Sequence, residues 1–211
     1  MTDQDVQAAD TILRRLEIPY VVVGGQAIAR TAATATRDID VMVATEDYAR
    51  TVELLRREKD LAFDWDDGKL CRFRILASGG VPLDIINGLA FAGKRPGADF
   101  YRYLAAEASS RSDGIAYATP EAVWYTRLLT KRWRAYAEKI VTNMIDGVPP
   151  ERLQAVEAIG RRFGTEETLA ERVSYVREGL QRPDIVELLR RAHLPNYQAK
   201  TPAESGGSRS E

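Results

Sequence analysis

Apolar residues recur at helical spacing through Val6, Ala9, Ile12, Leu13 and Leu16, and Pro19 stops the pattern. The chain is therefore expected to open with an amphipathic helix. Residues 20–25, YVVVGG, form a continuous apolar run that ends in two glycines, the mark of a buried strand entering a turn. Residues 26–33, QAIARTAA, are good helix material because alanine leads the propensity scale. Residues 38–44, DIDVMVA, alternate and are β-branched, which predicts a second strand. Residues 45–58, TEDYARTVELLRRE, predict a helix with Thr45 as N-cap and Glu46 and Asp47 in the first turn. KLCRFRILA, residues 69–77, alternates again. Leu70, Arg72, Arg74 and Leu76 share one side, and Cys71, Phe73, Ile75 and Ala77 the other. The SGG that follows predicts a hairpin turn, with VPLDIIN, residues 81–87, as the returning strand.

From Thr119 the pattern changes to helices, with a boundary near residues 112–119. Thr119, Pro120 and Glu121 form a capping signal ahead of a long helical pattern that runs to residue 145. Residues 148–163 and 165–180 continue as helices. The order helix, strand, helix, strand, helix, hairpin predicts an α/β (α+β) fold, a small mixed β-sheet flanked by helices, with a C-terminal helical domain. Residues 1–115 are expected to form the sheet domain and 116–196 the helical domain. Residues 197–211 are small and polar, and are expected to be a disordered tail.

Composition narrows the chemistry. The chain has 211 residues, 45% of them hydrophobic, so it can bury a core, yet no stretch approaches the roughly 20 apolar residues of a membrane span. A polar, acidic start argues against a secretory signal, and the single cysteine, Cys71, fits a reducing cytoplasm and reads as a small core residue. One histidine, His193, is too few for a histidine-based metal cluster or a catalytic triad. A net charge of −1 gives no global nucleic-acid signal. Residues 127–139 nevertheless carry Arg127, Lys131, Arg132, Arg134 and Lys139 against one acid, Glu138. On a continuous helix Arg127, Lys131 and Arg134 would share one face, either a basic surface or a solvated one.

Two aspartates interrupt the apolar second strand. Residues two apart on a strand face the same way, so Asp38 and Asp40 project together while Ile39 and Val41 turn into the core. Two adjacent carboxylates repel unless something positive sits between them. A hard dication with oxygen ligands is the economical answer, Mg²⁺ above all. Asp84 could join them if the hairpin lies beside this strand. Three converging carboxylates suit two-metal phosphoryl chemistry. Gly24 and Gly25, between strand and helix, allow close backbone approach, and the helix N-terminus offers N–H groups to phosphate. An ordinary tight turn explains two glycines equally well. A lone Asp-x-Asp on a strand is ordinarily a surface feature, and the full combination is more specific.

That combination, a strand ending in Gly24-Gly25, a helix, Asp38-Ile39-Asp40 on the next strand and Asp84 further on, resembles the nucleotidyltransferases of the DNA polymerase β-like superfamily. VVVGGQAIA followed by TRDIDVMV is most similar to the minimal bacterial and archaeal branch, which includes AbiEii-type toxins of toxin–antitoxin pairs. The likeness covers roughly residues 18–90, and TPEAVWYTRLLTKR is similar to a Pro-Glu helix of those proteins. Arg127 stands where that helix carries a lysine, and Glu138-Lys139 replaces a Lys-Asp pair. The resemblance implies transfer of a nucleoside monophosphate from an NTP, such as ATP, to a hydroxyl acceptor. Asp38 and Asp40 would hold two Mg²⁺ or Mn²⁺ ions, and Asp84 would bind one of them and help deprotonate the acceptor. Gly24, Gly25 and Gln26 would contact phosphate, with Arg37, Arg127 and Lys131 as further nucleotide contacts. The acceptors it implies are a tRNA end, a protein hydroxyl or a small molecule such as an antibiotic. The basic segment favours RNA or protein, and an antitoxin protein is the partner a toxin would have.

The rival readings are weaker on the residues. A catalytically silent relative that binds nucleotide or a partner protein has no need of three mutually repelling carboxylates. A metal-dependent phosphohydrolase ordinarily brings histidines, and this chain has one. Trp124, Tyr125, Trp133 and Tyr136 could stack on bases, but aromatics at helical spacing are more often core.

Overall fold

The structure is a computed structural model, and it describes residues 3–29, 36–93, 96–145 and 149–182. The opening helix α1 (Asp3–Arg15) buries Val6, Ala9, Ile12 and Leu13, the face its spacing predicts. It ends where Glu17 adopts a left-handed φ of 54°. Strand β1 (Val21–Val23) is buried throughout. Helix α2 (Gly24–Ala29) begins on the glycine pair itself, and residues 30–33 of the expected helix lie outside the described residues. Strand β2 (Ile39–Val43) follows, then α3 (Tyr48–Arg56).

Thr45 does not cap α3. Asp47 takes that position without a side-chain cap; the Thr45 hydroxyl is buried with no hydrogen-bond partner, and the Thr45 backbone N–H donates to Asp99 Oδ2 at 2.7 Å.

Strand β3 (Leu61–Asp66), which the alternation did not predict, pairs with β4 (Leu70–Ile75), and β4 pairs in hairpin fashion with β5 (Val81–Asn87). The turn between β4 and β5 uses Gly79 and Gly80 at φ 70° and 85°, where a side chain would be strained. Next come α4 (Phe100–Glu107), β6 (Ser109–Ser112) and β7 (Ile115–Ala118). The helices α5 (Pro120–Leu129), α6 (Trp133–Ile145), α7 (Arg152–Phe163) and α8 (Glu166–Leu180) complete the described chain.

The strands form one mixed sheet in the order β3-β4-β5-β2-β1-β7-β6. β2 pairs parallel with β5 and β1 parallel with β7, while the other pairs are antiparallel. This is the mixed α/β architecture expected. The expected boundary after residue 115 falls at the start of β7, whose Tyr117 pairs with Val22 in the middle of the sheet. The tail and His193 lie outside the described residues.

Residues 119–145 are not the single helix that their pattern suggests. Thr119 caps α5 as predicted, its Oγ1 accepting from the Ala122 N–H. At the other end Thr130 turns extended (ψ 165°), and its hydroxyl donates to the Arg127 carbonyl at 2.9 Å. A threonine side chain that satisfies a helix carbonyl competes with the next turn of helix. The break lets α6 pack on α8 while α5 packs on α7. Trp124 and Tyr125 belong to this core: the Tyr125 ring stacks on Phe100 at 5.1 Å, and its hydroxyl donates to the Phe91 carbonyl. Cys71 is buried too, and burial pushes its thiol up to about 11. Among the described residues no helix is long and apolar enough to cross a membrane.

Candidate active site

Three strands converge on one group of carboxylates. β1 and β2 run antiparallel with Val23 opposite Asp40, so the turn after Val23 passes beside the Asp40 side chain. β2 and β5 run parallel with Asp40 directly opposite Asp84. Residues opposite on paired strands project from the same face. Asp38 sits at the bend just before β2. Each of the three aspartates offers a carboxylate oxygen, and these oxygens lie within 4.8 Å of one another.

Gly24 makes this possible. Its φ is +64°, and a Cβ there would lie 1.9 Å from Asp40 Oδ2. Only a residue without a side chain leaves the carboxylate its place. At Gly25 a Cβ would meet Thr36 Cγ2 at 2.5 Å and stand 3.7 Å from an Arg127 terminal nitrogen. The start of α2, the bend before β2 and the end of α5 therefore meet at one point.

Charge in this group is tightly constrained. Burial pushes the Asp40 carboxyl up to about 7, the negative charges of Asp38 and Asp84 add to the effect, and Arg127 and Arg72 oppose it. Asp84 has only 3% of its side chain exposed, and Arg72 holds it in a two-point fork, Nε to Oδ1 at 2.6 Å and a terminal nitrogen to Oδ2 at 2.5 Å. That terminal nitrogen also reaches Asp38 Oδ2 at 3.6 Å. Arg127 lies over the Tyr136 ring at 5.2 Å. Burial lowers its pKa, against the attraction of Tyr136, Asp40 and Asp38.

The structure thus brings together Asp38, Asp40, Asp84, Gly24, Gly25 and Arg127. Gln26 is buried, and its amide donates to Thr36 Oγ1 at 2.5 Å, so it braces the approach to β2. Arg37 is exposed at the bend. Lys131 lies exposed in the turn between α5 and α6, and Arg134 on α6 lies 5.4 Å from the Trp133 ring. Because the helix breaks at Thr130, these residues do not continue the Arg127 face, and the expected basic stripe is not formed. Arg72, which the alternation only placed on one side of β4 with Arg74, is the member of the group that sequence reasoning missed. Its signal was in the hairpin: counting outward from the turn, the pair Ile75–Val81 puts Arg72 opposite Asp84.

The donor set fits a small hard dication. Carboxylate oxygens are the ligands Mg²⁺ and Mn²⁺ take, and the trio is short of positive charge even with two arginines beside it.

No protein-family model matches the chain, and no curated protein matches it. Among solved structures the chain is similar to ANT(2'')-Ia in complex with adenylyl-2''-tobramycin, at 14% identity over 84% of this chain and 98% of that one, with a TM-score of 0.45. It is also similar to a Thermotoga maritima protein assigned as a nucleotidyltransferase (15% identity, 70% and 96% covered, TM-score 0.42). A Helicobacter pylori protein with the same assignment gives 10% identity, 90% and 99% coverage and a TM-score of 0.40.

Proposed function

We propose that this chain is a metal-dependent nucleotidyltransferase of the DNA polymerase β-like kind, moving a nucleoside monophosphate from an NTP to a hydroxyl acceptor. The observation that carries the reading is the in-register placement of Asp40 beside Asp84 on parallel strands, with Asp38 and the side-chain-free turn at Gly24 completing the group. The acceptor is an RNA end or a protein hydroxyl, and the biological setting is that of a toxin held by an antitoxin protein.

Asp38 and Asp40 would hold Mg²⁺ or Mn²⁺, with Asp84 joining them. Bound there, the metal supplies charge neutralisation for the phosphate and lowers the pKa of an oxygen that contacts it. Asp84 lies at the far side of the trio from Gly24, one strand beyond Asp40, where it can take the proton of the acceptor hydroxyl. The hydroxyl oxygen forms a bond to the α-phosphorus, and the bond to pyrophosphate breaks. Arg127, delivered by α5 to the α2 side, meets the developing charge on the phosphates. Gly24 and Gly25, packed against Asp40 and Thr36, would contact the triphosphate through their backbone. In this reading the sheet through the end of β7 belongs to the catalytic part, and the helices from α5 onward form the helical part that supplies Arg127.

The test is incubation with each α-labelled NTP, Mg²⁺ and a mixture of cellular RNA and protein. Label is expected in one macromolecular fraction, dependent on the metal and abolished by chelator. No transfer from any NTP by a protein that also fails to bind NTP overturns the reading.

A further inference from the structure

Asp40, Asp84 and Arg72 stand opposite one another on three adjacent strands, β2, β5 and β4. Arg72 thus enters the acid group from the β4 side, on the same face of the sheet. Its guanidinium engages both oxygens of Asp84, at 2.6 and 2.5 Å, and reaches Asp38 at 3.6 Å. An arginine in this position is a permanent cation, because it does not lose its proton. Asp84 has 3% of its side chain in water, so solvent cannot replace the fork. Arg72 itself keeps 34% of its side chain exposed and has room to give way outward.

We propose that Arg72 is the internal counter-ion of the acid trio, a positioning residue that competes with a divalent cation for Asp84 and sets how tightly the site takes its metal. The inference rests on the trio being a metal site, as the proposed function has it. Without metal, the guanidinium holds together carboxylates that would otherwise repel. An arriving dication must win the Asp84 oxygens from a fixed positive charge. Charge and geometry oppose each other here. If the fork merely aimed Asp84 at the metal, removing Arg72 would weaken metal binding; as a competitor, its removal strengthens it.

The experiment is calorimetric titration of Mn²⁺ alone, with no nucleotide, into the full chain and its Arg72→Gln, Arg72→Lys and Asp40→Asn variants, with melting curves in chelator and in Mn²⁺. Removing a unit charge a few ångströms from a dication is expected to tighten Mn²⁺ binding by about tenfold or more in Arg72→Gln. That variant should melt below wild type in chelator and gain more from Mn²⁺. Arg72→Lys, which keeps the charge and loses the fork, should fall between the two. Wild-type or weaker Mn²⁺ affinity in folded Arg72→Gln overturns the inference. If Arg72→Gln does not fold in chelator, Arg72→Lys decides it: tighter binding than wild type supports competition, equal or weaker binding overturns it. Failure of wild type and every variant to bind Mn²⁺ removes the metal site itself, and the inference with it. Mn²⁺ binding in wild type that Asp40→Asn abolishes and Arg72→Gln fails to strengthen overturns the inference while leaving the site standing.

Discussion

Replacing Asp40 by asparagine should make the metal-free protein more stable near neutral pH, and the size of the effect can be worked out. Burial, then Asp38 and Asp84, raise the Asp40 carboxyl from its ordinary 3.8 to about 7. The difference, 7 − 3.8, is about 3 pH units, or about 4 kcal/mol at about 1.4 kcal/mol per unit. Below the lower value the carboxyl is protonated in both folded and unfolded chains, and its ionisation favours neither. Between about pH 4 and about pH 7 the unfolded chain ionises first, so stability falls as pH rises, and the whole penalty is present above about pH 7. Residual contact with water screens part of the penalty, and the attraction of Arg127 and Arg72 is already contained in the shift. A gain of about 1–3 kcal/mol remains. For a chain of this size that is roughly 3–10 °C in melting temperature. Melting curves in chelator at about pH 8 and about pH 4 read it directly: the gain should appear at the higher pH and nearly vanish at the lower. Asp40→Asn should also abolish transfer and remove any stabilisation by Mg²⁺. No gain at the higher pH, or an equal gain at both, refutes the electrostatic assignment.

Asp84→Asn should act with the opposite sign, lowering stability by about 1–3 kcal/mol because it strips the fork from a partly buried Arg72; in chemical denaturation, a variant as stable as wild type removes Asp84 from that role. For Gly24→Ala, the left-handed backbone and the 1.9 Å approach to Asp40 predict a loss of about 2–4 kcal/mol together with metal binding. Normal melting and normal Mn²⁺ titration in that variant would show that the turn is not built around the carboxylate. Arg127→Ala should weaken NTP binding by about tenfold or more, whereas Arg134→Ala should change it by less than about threefold. Equal effects in an NTP titration would restore the continuous basic face that the break at Thr130 removes.

Local periodicity made much of this protein legible. The two-residue period predicted that Asp38 and Asp40 project together, and the alternation of residues 69–77 put Cys71, Phe73 and Ile75 inside the core. The hairpin turn even determined that Arg72 and Asp84 would face each other, a register that could have been counted from the glycines. Other features needed tertiary structure. Nothing near Asp40 in the chain requires β5 to lie parallel beside β2; that pairing joins residues far apart in the sequence. Strands β3 and β6 lie at the sheet edges and are largely exposed, so they carry little of the apolar alternation that buried faces impose. Helical spacing continued across Thr130, but the competition between its side chain and the next turn, together with the packing of α6 on α8, ended α5 there, with Arg127 at the acid group and Lys131 and Arg134 beyond the break. The sequence supplied the carboxylates and the side on which they project, because strand periodicity is local. Their common centre, and the guanidinium already held within it, came from strand pairing between residues far apart in the chain.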